Sequence, residues 1–321
     1  MSDIMVSVLC LAYNHEKYIR QALDSMVLQK VDFNFEIIVH DDASTDKTTE
    51  IIREYEMKYP EIIKPIYQTE NQYSKSVSIF NEFLIPKAQG KYFALCECDD
   101  FWASDTKLQR QVDYMEQHPE CSLCIHNAIH VDVDNNIIGH VYTTKNGDRK
   151  FTCDEVILGD GQFCATNSIL APLKFIKDGP NYFKNLTLDY IWQIRLASEG
   201  EVYCFEEEMS AYRVGVANSW TEKMTSRKAK NDLANLYERI NLALAEFDEV
   251  TEKKHHEAVI KSQTRRGFQV LYMTRNFEEL KKEPYISCVS DIDFSFKMRV
   301  IYWLGMHMPK VLEVVEKIIL R

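Results

Sequence analysis

Short apolar runs alternate with segments of helical periodicity along the first hundred residues. Four of the runs are too short for helices, which predicts buried strands. These runs cover residues 6–12, 35–39, 62–67 and 92–96. Between the first two, apolar residues from Tyr18 to Val27 recur at helical spacing, and Asn14 is expected to cap the helix that they form. Strands and helices that alternate in this way predict an α/β fold with a mostly parallel sheet flanked by helices.

The pattern changes further along the chain. Residues 107–117 have helical spacing, and the apolar runs at 122–133 and 137–142 predict a hairpin. From about residue 221 the spacing is helical over a long stretch. With 321 residues the chain has room for about two domains. We expect an α/β domain at 1–220 and a helical C-terminal domain at 221–321.

The tail of the chain combines apolar residues with basic ones. Residues 297–321 contain five basic and two acidic side chains, a net charge of +3, so the rest of the chain carries −14. This composition favours contact with an anionic membrane surface. The alternative is a helix that packs on its own domain. No run of 18 apolar residues occurs and the first residues lack a basic segment, so neither a transmembrane helix nor a signal peptide is expected.

Composition narrows the class of protein. Apolar residues make up 45% and charged residues 27% of the chain, which is typical of a globular protein. The net charge of −11 argues against general binding of nucleic acids. Nine scattered cysteines in a chain of this length favour reduced thiols and a cytoplasmic location.

Polar side chains follow three of the first four predicted strands. The first strand is followed by Tyr13 and Asn14, the second by Asp42, and the fourth by an acidic cluster. That cluster consists of Glu97, Asp99 and Asp100. Ligands of open parallel sheets bind at this edge, and three carboxylates within four residues repel one another unless a cation lies among them. Oxygen ligands predict Mg²⁺ or Mn²⁺. Since no glycine-rich phosphate loop is found, the metal is expected to neutralise a nucleotide diphosphate.

Three segments in this order resemble the family-2 inverting glycosyltransferases of the GT-A fold. They lie at 6–14, 39–46 and 97–102, and the resemblance covers about residues 5–220. It implies a Rossmann-type GT-A-like sheet. It also implies transfer of a sugar from a nucleotide-sugar, usually a UDP-sugar, to an acceptor hydroxyl with inversion. By analogy, the setting is bacterial surface polysaccharide synthesis on a saccharide or lipid-linked acceptor, with a cytoplasmic enzyme peripheral to the inner face of the membrane.

The resemblance also implies roles for individual residues. Tyr13 stacks on the base and Asp42 hydrogen-bonds to its edge. Asp99 and Asp100 contact the metal and the sugar. Glu97 stands where the family usually has Asp, and its longer side chain is expected to reach sugar hydroxyls. The nucleotide-sugar set is Ala12, Tyr13, Asn14, Asp42, Glu97 and Asp99, and the metal set is Asp99 and Asp100.

The segment 188–192 resembles the one that carries the general base of the family, which makes Asp189 the base candidate. The alternative is that Asp189 only caps the following helix. Gly215 stands where the family often has a metal-binding His. Trp102 and Trp220 are candidates for stacking on an acceptor sugar, with core packing as the alternative.

Other functions remain open at this point. The Gln-x-x-Arg-Trp motif of polymerising relatives is missing, so transfer of a single sugar is expected. A sugar-nucleotide-binding protein without catalysis is the alternative, favoured by Gly215 and Glu97. A nucleotidyltransferase would need a glycine-rich N-terminal loop, which this sequence lacks.

Overall fold

The computed structural model describes residues 4–177, 179–180, 182–183, 186, 188–216, 230–292 and 294–319. The chain forms two compact units, at 1–222 and 223–321. The first contains the sheet and the second is helical. The predicted α/β fold with a helical C-terminal region is therefore confirmed.

One ten-stranded sheet organises the first unit. Its main path runs β3-β2-β1-β4-β9-β6-β10-β5, with β7 paired to β6 and β8 to β10. Strands β1 to β4 are parallel where they pair, and the later strands add antiparallel partners. The strands are β1 Val6–Ala12, β2 Phe35–Asp41, β3 Ile63–Tyr67, β4 Tyr92–Leu95, β5 Phe101–Trp102, β6 Cys121–Val131, β7 Ile137–Val141, β8 Arg149–Phe151, β9 Leu170–Pro172 and β10 Glu201–Arg213.

Six α-helices of the first unit are described. They are α1 Ile19–Val27, α2 Thr48–Lys58, α3 Lys107–Gln117, α4 Cys153–Leu158, α5 Lys174–Lys177 and α6 Asp189–Ala197. A π-helical turn, Phe80–Leu84, precedes β4, and Thr166–Ser168 form a 3₁₀ turn. The prediction that Asn14 caps the first helix is wrong, because α1 begins at Ile19 and Tyr18 is its N-cap.

The strands with continuous apolar runs lie in the middle of the core. Six of the seven residues of β1 and all seven of β2 are buried, as expected for parallel strands covered on both faces. Helix α1 buries Ile19, Ala22, Leu23 and Met26. Ala12 pairs with Asp41 at the carboxyl end of both strands, so the polar residues that follow meet at one edge.

The second unit is built from six described α-helices. They are α7 Lys230–Val250, α8 His256–Met273, α9 Phe277–Leu280, α10 Tyr285–Cys288, α11 Phe296–His307 and α12 Pro309–Ile319. Its aromatic core includes Phe268, Tyr272, Phe277 and Phe294. Among the described residues, no helix has the length and apolar character needed to span a bilayer. All nine cysteines of the chain are free and buried.

Candidate active site

Two loops at the carboxyl edge of the sheet are tied together by Asn14. Its backbone N–H donates to Ser44 Oγ at 3.0 Å, and its side-chain oxygen accepts from the N–H of Thr45 at 2.8 Å. Asn14 has a φ of 57°, which asparagine tolerates better than most residues. The oxygen of Ala12 accepts from the N–H of Asp42 at 3.0 Å. Tyr13, 41% exposed, is left available to a ligand at this edge.

Asp42 is buried and orders a neighbouring loop. One carboxylate oxygen accepts from the N–H of Gln72 at 2.7 Å and the other from the N–H of Tyr73 at 3.0 Å. A carboxylate oxygen can accept a second hydrogen bond, so contact with a base edge stays compatible with this geometry. The Tyr73 side chain is exposed beside it.

The acidic cluster after β4 contains carboxylates that influence one another. Glu97 and Asp99 are partly exposed, whereas Asp100 is buried. Burial raises the pKa of Glu97 well above its usual range, and the charges of Asp99 and Asp189 add to this effect. The fold therefore brings the base candidate, about 90 residues further along the chain, into the electrostatic field of the acidic cluster.

Asp100 is a buried carboxylate with fixed partners. One oxygen accepts from the backbone N–H of Arg213 at 2.8 Å and the other from Asn167 Nδ2 at 2.9 Å. Burial and the charge of Asp99 raise the pKa of Asp100, while these hydrogen bonds oppose the rise. Asn167 also donates to the oxygen of Ala211 and accepts from Ser210, so its amide joins the acidic cluster to β10.

Arg213 holds the same region from the other side. Its Nε donates to the backbone oxygen of Asp99 at 2.8 Å, and its Nη2 donates to Gln21 on α1 at 2.9 Å. Its Nη1 donates to Asp132 O and to Asn135 Oδ1 in the hairpin turn. One guanidinium thus fixes the acidic loop against α1 and the β6–β7 turn.

Asp189 is exposed at the first residue of α6. Its carboxylate accepts a hydrogen bond from the hydroxyl of Thr166. Desolvation by the surrounding protein raises the pKa of Asp189, and the hydrogen bond from the Thr166 hydroxyl opposes the rise. Leu188 is the N-cap residue of α6 and no side-chain cap is formed, so Asp189 does not have the capping role of the alternative interpretation.

Trp102 and Trp220 were both predicted as possible contacts of an acceptor sugar, and the structure describes only Trp102. Trp102 is 4% exposed; its Nε1 donates to the oxygen of Asn167 at 3.1 Å, and the ammonium group of Lys107 lies 4.3 Å from its ring centre. The prediction that Trp102 faces an acceptor is therefore wrong, because both its ring and its N–H are occupied by the core. Trp220 lies outside the described residues. Gly215 has a φ of +85°, which a histidine would adopt only with strain.

Thr166, Asn167 and Arg213 were not singled out as site residues by the sequence. Thr166 and Asn167 belong to one 3₁₀ turn, which touches the base candidate through one residue and the acidic cluster through the next. Arg213 lies two residues before Gly215, a position that the resemblance did indicate, but its contacts are with residues far away in the chain.

Asp99 and Asp100 differ in how well they are placed to bind a divalent cation. Among the residues that the structure describes, no three His, Cys, Asp or Glu side chains are grouped to hold a metal ion. The Asp99 carboxylate is partly exposed, with His15 Nε2 at 3.9 Å from Oδ2. The Asp100 oxygens are buried and already hydrogen-bonded. Mg²⁺ is commonly bound through one or two carboxylates together with substrate phosphates. Asp99 fits that pattern, and Asp100 fits a supporting position behind it.

Comparison with known proteins decides the family. The model for "Glycosyl transferase family 2" matches residues 7–170, half of the chain. The chain belongs to glycosyl transferase family 2. An uncharacterized protein of Mycobacterium tuberculosis is 31% identical over 229 residues, 70% of this chain. This chain spans 62% of the length of that relative. WfaP of Escherichia coli, named a UDP-Glc:alpha-D-GlcNAc-diphosphoundecaprenol beta-1,3-glucosyltransferase, is 33% identical over 112 residues, 35% of this chain and 41% of WfaP.

Solved structures show the same fold at low sequence identity. TarS of S. aureus in complex with UDP-GlcNAc matches with a TM-score of 0.62 and 16% identity, covering 90% of this chain and 80% of TarS. The mannosyltransferase PcManGT of Pyrobaculum calidifontis, in complex with GDP-Man and Mn²⁺, matches with a TM-score of 0.54 and 12% identity. That match covers 99% of this chain and 89% of the mannosyltransferase.

Proposed function

We propose that this protein is an inverting glycosyltransferase that moves one sugar from a nucleotide-sugar to an acceptor hydroxyl. The observation that carries the proposal is that Asp189 lies close enough to the acidic cluster for its charge to raise the pKa of Glu97. A carboxylate hydrogen-bonded to Thr166 lies within the electrostatic influence of Glu97 at the ligand-binding edge of a family-2 sheet. One carboxylate near the reacting centre is what a single displacement requires.

The proposed donor is a UDP-sugar. The exposed ring of Tyr13 suits stacking on a base, and Asp42 retains lone pairs for an imide N–H. The UDP-GlcNAc bound by TarS and the UDP-Glc in the name of WfaP support this donor class. Ala12 and Asn14 shape the loop beside Tyr13, and Glu97 is proposed to contact hydroxyls of the sugar.

The proposed cofactor is Mn²⁺ or Mg²⁺, bound by Asp99 together with phosphate oxygens of the donor. When bound, the cation would neutralise charge on the leaving diphosphate. Asp100, fixed by Asn167 and Arg213, would position Asp99 rather than face the solvent itself. The Mn²⁺ in the complex of the Pyrobaculum mannosyltransferase supports this choice of metal.

Asp189 is proposed to act as the general base. Its carboxylate takes the proton of the acceptor hydroxyl while the acceptor oxygen bonds to the anomeric carbon, and the nucleoside diphosphate leaves with the bonding electron pair from the opposite face. A pKa raised by its surroundings makes Asp189 a better proton acceptor than an ordinary carboxylate. The hydroxyl of Thr166 would orient that carboxylate.

The proposed acceptor is a saccharide, free or lipid-linked, of a bacterial surface polysaccharide. The name of WfaP, which includes a diphosphoundecaprenol-linked sugar, supports a lipid-linked acceptor. The enzyme would then work in the cytoplasm at the inner face of the membrane.

The Asp189→Asn variant tests this function. The substitution keeps the shape of the side chain and removes the proton-accepting charge, so transfer should fall by about 10²–10⁴-fold while donor affinity stays near the wild-type value. Asp154→Asn is the matched control, because Asp154 is also an exposed acidic residue in the first turn of a helix.

Transfer should be measured with several UDP-sugars and a lipid-linked acceptor in the presence of Mn²⁺. If Asp189→Asn transfers sugar as fast as the wild type, Asp189 is not the base. If the wild type binds UDP-sugars tightly and transfers nothing, the non-catalytic sugar-nucleotide-binding alternative is correct.

A further inference from the structure

Helix α11 has apolar residues on two sides. On one side, Met298 and Ile301 pack against the aromatic core of the second unit. On the other side, Phe296, Val300 and Trp303 follow one another at spacings of four and three, which puts them on one stripe of the helix. Phe296 is 84% exposed and Trp303 is 53% exposed. Since a helix at a protein surface normally presents polar residues to water, this second stripe indicates a surface that is covered in use.

Helix α12 also has exposed apolar residues. Val311 and Val314 are exposed and three residues apart, whereas Leu312 is buried in the core of the unit. We name the exposed set the apolar face. It consists of Phe296, Val300, Trp303, Val311 and Val314.

Basic residues border the apolar face. At 3.6 residues per turn, Lys297 and Arg299 lie on opposite flanks of the stripe on α11, and Lys310 lies in the first turn of α12. All three are exposed. No acidic residue occurs between 294 and 312, although the chain as a whole carries a net charge of −11. Positive charge is thus concentrated beside the exposed apolar residues of α11, whereas α12 contains Glu313 and Glu316 as well as Lys310.

Exposed apolar residues bordered by basic ones fit an anionic bilayer better than a second copy of the chain. A second copy of the chain, docked face to face, would bring two positively charged faces together. An anionic bilayer accepts both components at once, because aromatic rings settle at the level of the headgroups and lysine and arginine extend from the apolar zone to lipid phosphates.

We propose that the apolar face docks on an anionic lipid bilayer, with Phe296 and Trp303 inserted among the lipids and Lys297 and Lys310 on the phosphates. The inference rests on the proposed function only in that a lipid-linked acceptor would lie at the same surface. Binding to the bilayer requires no sugar transfer, so the two proposals fail separately.

Flotation of the full chain with vesicles tests the proposal. One set of vesicles contains equal parts of phosphatidylglycerol and phosphatidylcholine, and the other contains phosphatidylcholine alone. We expect binding to the anionic set, weakened by high salt. Trp303→Ser and Phe296→Ser should each weaken it about 10- to 100-fold, the factor for withdrawing one large apolar side chain from the bilayer. Leu242→Ser is the matched control, because Leu242 is an exposed apolar residue of α7 outside the face.

Two further variants separate the contributions. Lys297→Gln and Lys310→Gln should each weaken binding to the anionic vesicles about fivefold. Arg299 is left intact because its Nε donates to the oxygen of Phe294 within the unit. Trp303 fluorescence should shift to shorter wavelength on addition of anionic vesicles, and Trp303→Phe should bind but lose most of that shift.

Three results would overturn the proposal. The first is a wild-type chain that does not float with anionic vesicles. The second is an equal loss of binding in Leu242→Ser and Trp303→Ser, with unchanged thermal melting in both. The third is a wild-type chain that is dimeric in light scattering and does not bind vesicles, while Trp303→Ser is monomeric. That result would make the apolar face a contact between two copies of the chain. Asp189→Asn should float like the wild type.

Discussion

Lys107 carries a buried ammonium group whose titration should govern part of the stability of the first unit. It is fully buried; Nζ donates to Gln111 Oε1 at 2.7 Å and lies over the ring of Trp102. Burial lowers the pKa of Lys107 to about 7. In an unfolded chain a lysine has a pKa of about 10.4.

The sign of the effect follows from proton counting. At a pH between the folded and the unfolded pKa of Lys107, the unfolded chain binds a proton that the folded protein has released. The free energy of unfolding therefore rises with pH in this range. From about pH 7 to about pH 9, at about 1.4 kcal/mol per tenfold change in proton activity, the rise is about 2–3 kcal/mol. As the pH falls below about 7, Lys107 is charged in both states and the gain is lost.

Lys107→Met removes this titration and keeps a long apolar side chain against Trp102. We expect the difference in unfolding free energy, wild type minus variant, to grow by about 2–3 kcal/mol from about pH 7 to about pH 9, measured by urea unfolding at each pH. Any contribution of the cysteine thiols is common to both proteins and cancels in the difference.

Lys107→Arg is the control, because a guanidinium stays charged at every pH of the series. It should be destabilised throughout and show no such rise. A difference between the wild type and Lys107→Met that stays constant with pH would mean that Gln111 and Trp102 keep the ammonium protonated in the folded protein. That result would refute the reasoning from burial.

Three further predictions concern the candidate site. Asn167→Asp places a second carboxylate against Asp100, so the free energy of unfolding should fall by about 2–4 kcal/mol at pH 7. It should recover towards pH 5, where the two carboxylates share a proton, and urea unfolding at both pH values measures this. Thr166→Val removes the hydrogen bond that lowers the pKa of Asp189, so the acidic limb of the transfer rate should move to higher pH with donor affinity unchanged. Tyr13→Ala should weaken UDP binding about tenfold in calorimetry, through lost stacking. Unchanged stability, an unmoved pH profile and unchanged affinity, respectively, would contradict them.

The sequence predicted the elements whose signal is local. The continuous apolar run of β1 can only be satisfied by burial on both faces, and the structure buries it so. The helix at 107–117 has the bounds that its spacing predicted. The start of α1 was missed because Asn14 looks like a cap, whereas its side chain binds the backbone of Thr45, 31 residues further along.

The site residues that the sequence missed all depend on distant contacts. Asn167 meets Asp100 across 67 residues, and Arg213 meets Gln21 across 192 residues. Asn167 stands in no periodic pattern or short motif, and the resemblance around Gly215 does not show which residues Arg213 contacts. The error on Trp102 has the same cause, because whether an aromatic ring after an acidic motif faces the solvent depends on Lys107 and Asn167 packing around it.

The distribution of charge around the acidic cluster explains how one stretch of chain supports both stability and binding. Asp100 accepts hydrogen bonds from Asn167 and from the backbone N–H of Arg213, and these bonds offset part of the cost of its buried charge. Burial and the charges of Asp99 and Asp189 raise the pKa of Glu97. A cation bound beside Asp99 would relieve the repulsion among these carboxylates. Under the proposed function this repulsion would favour a cation bound together with a nucleotide diphosphate, and Glu97→Gln should stabilise the free protein while it weakens that binding.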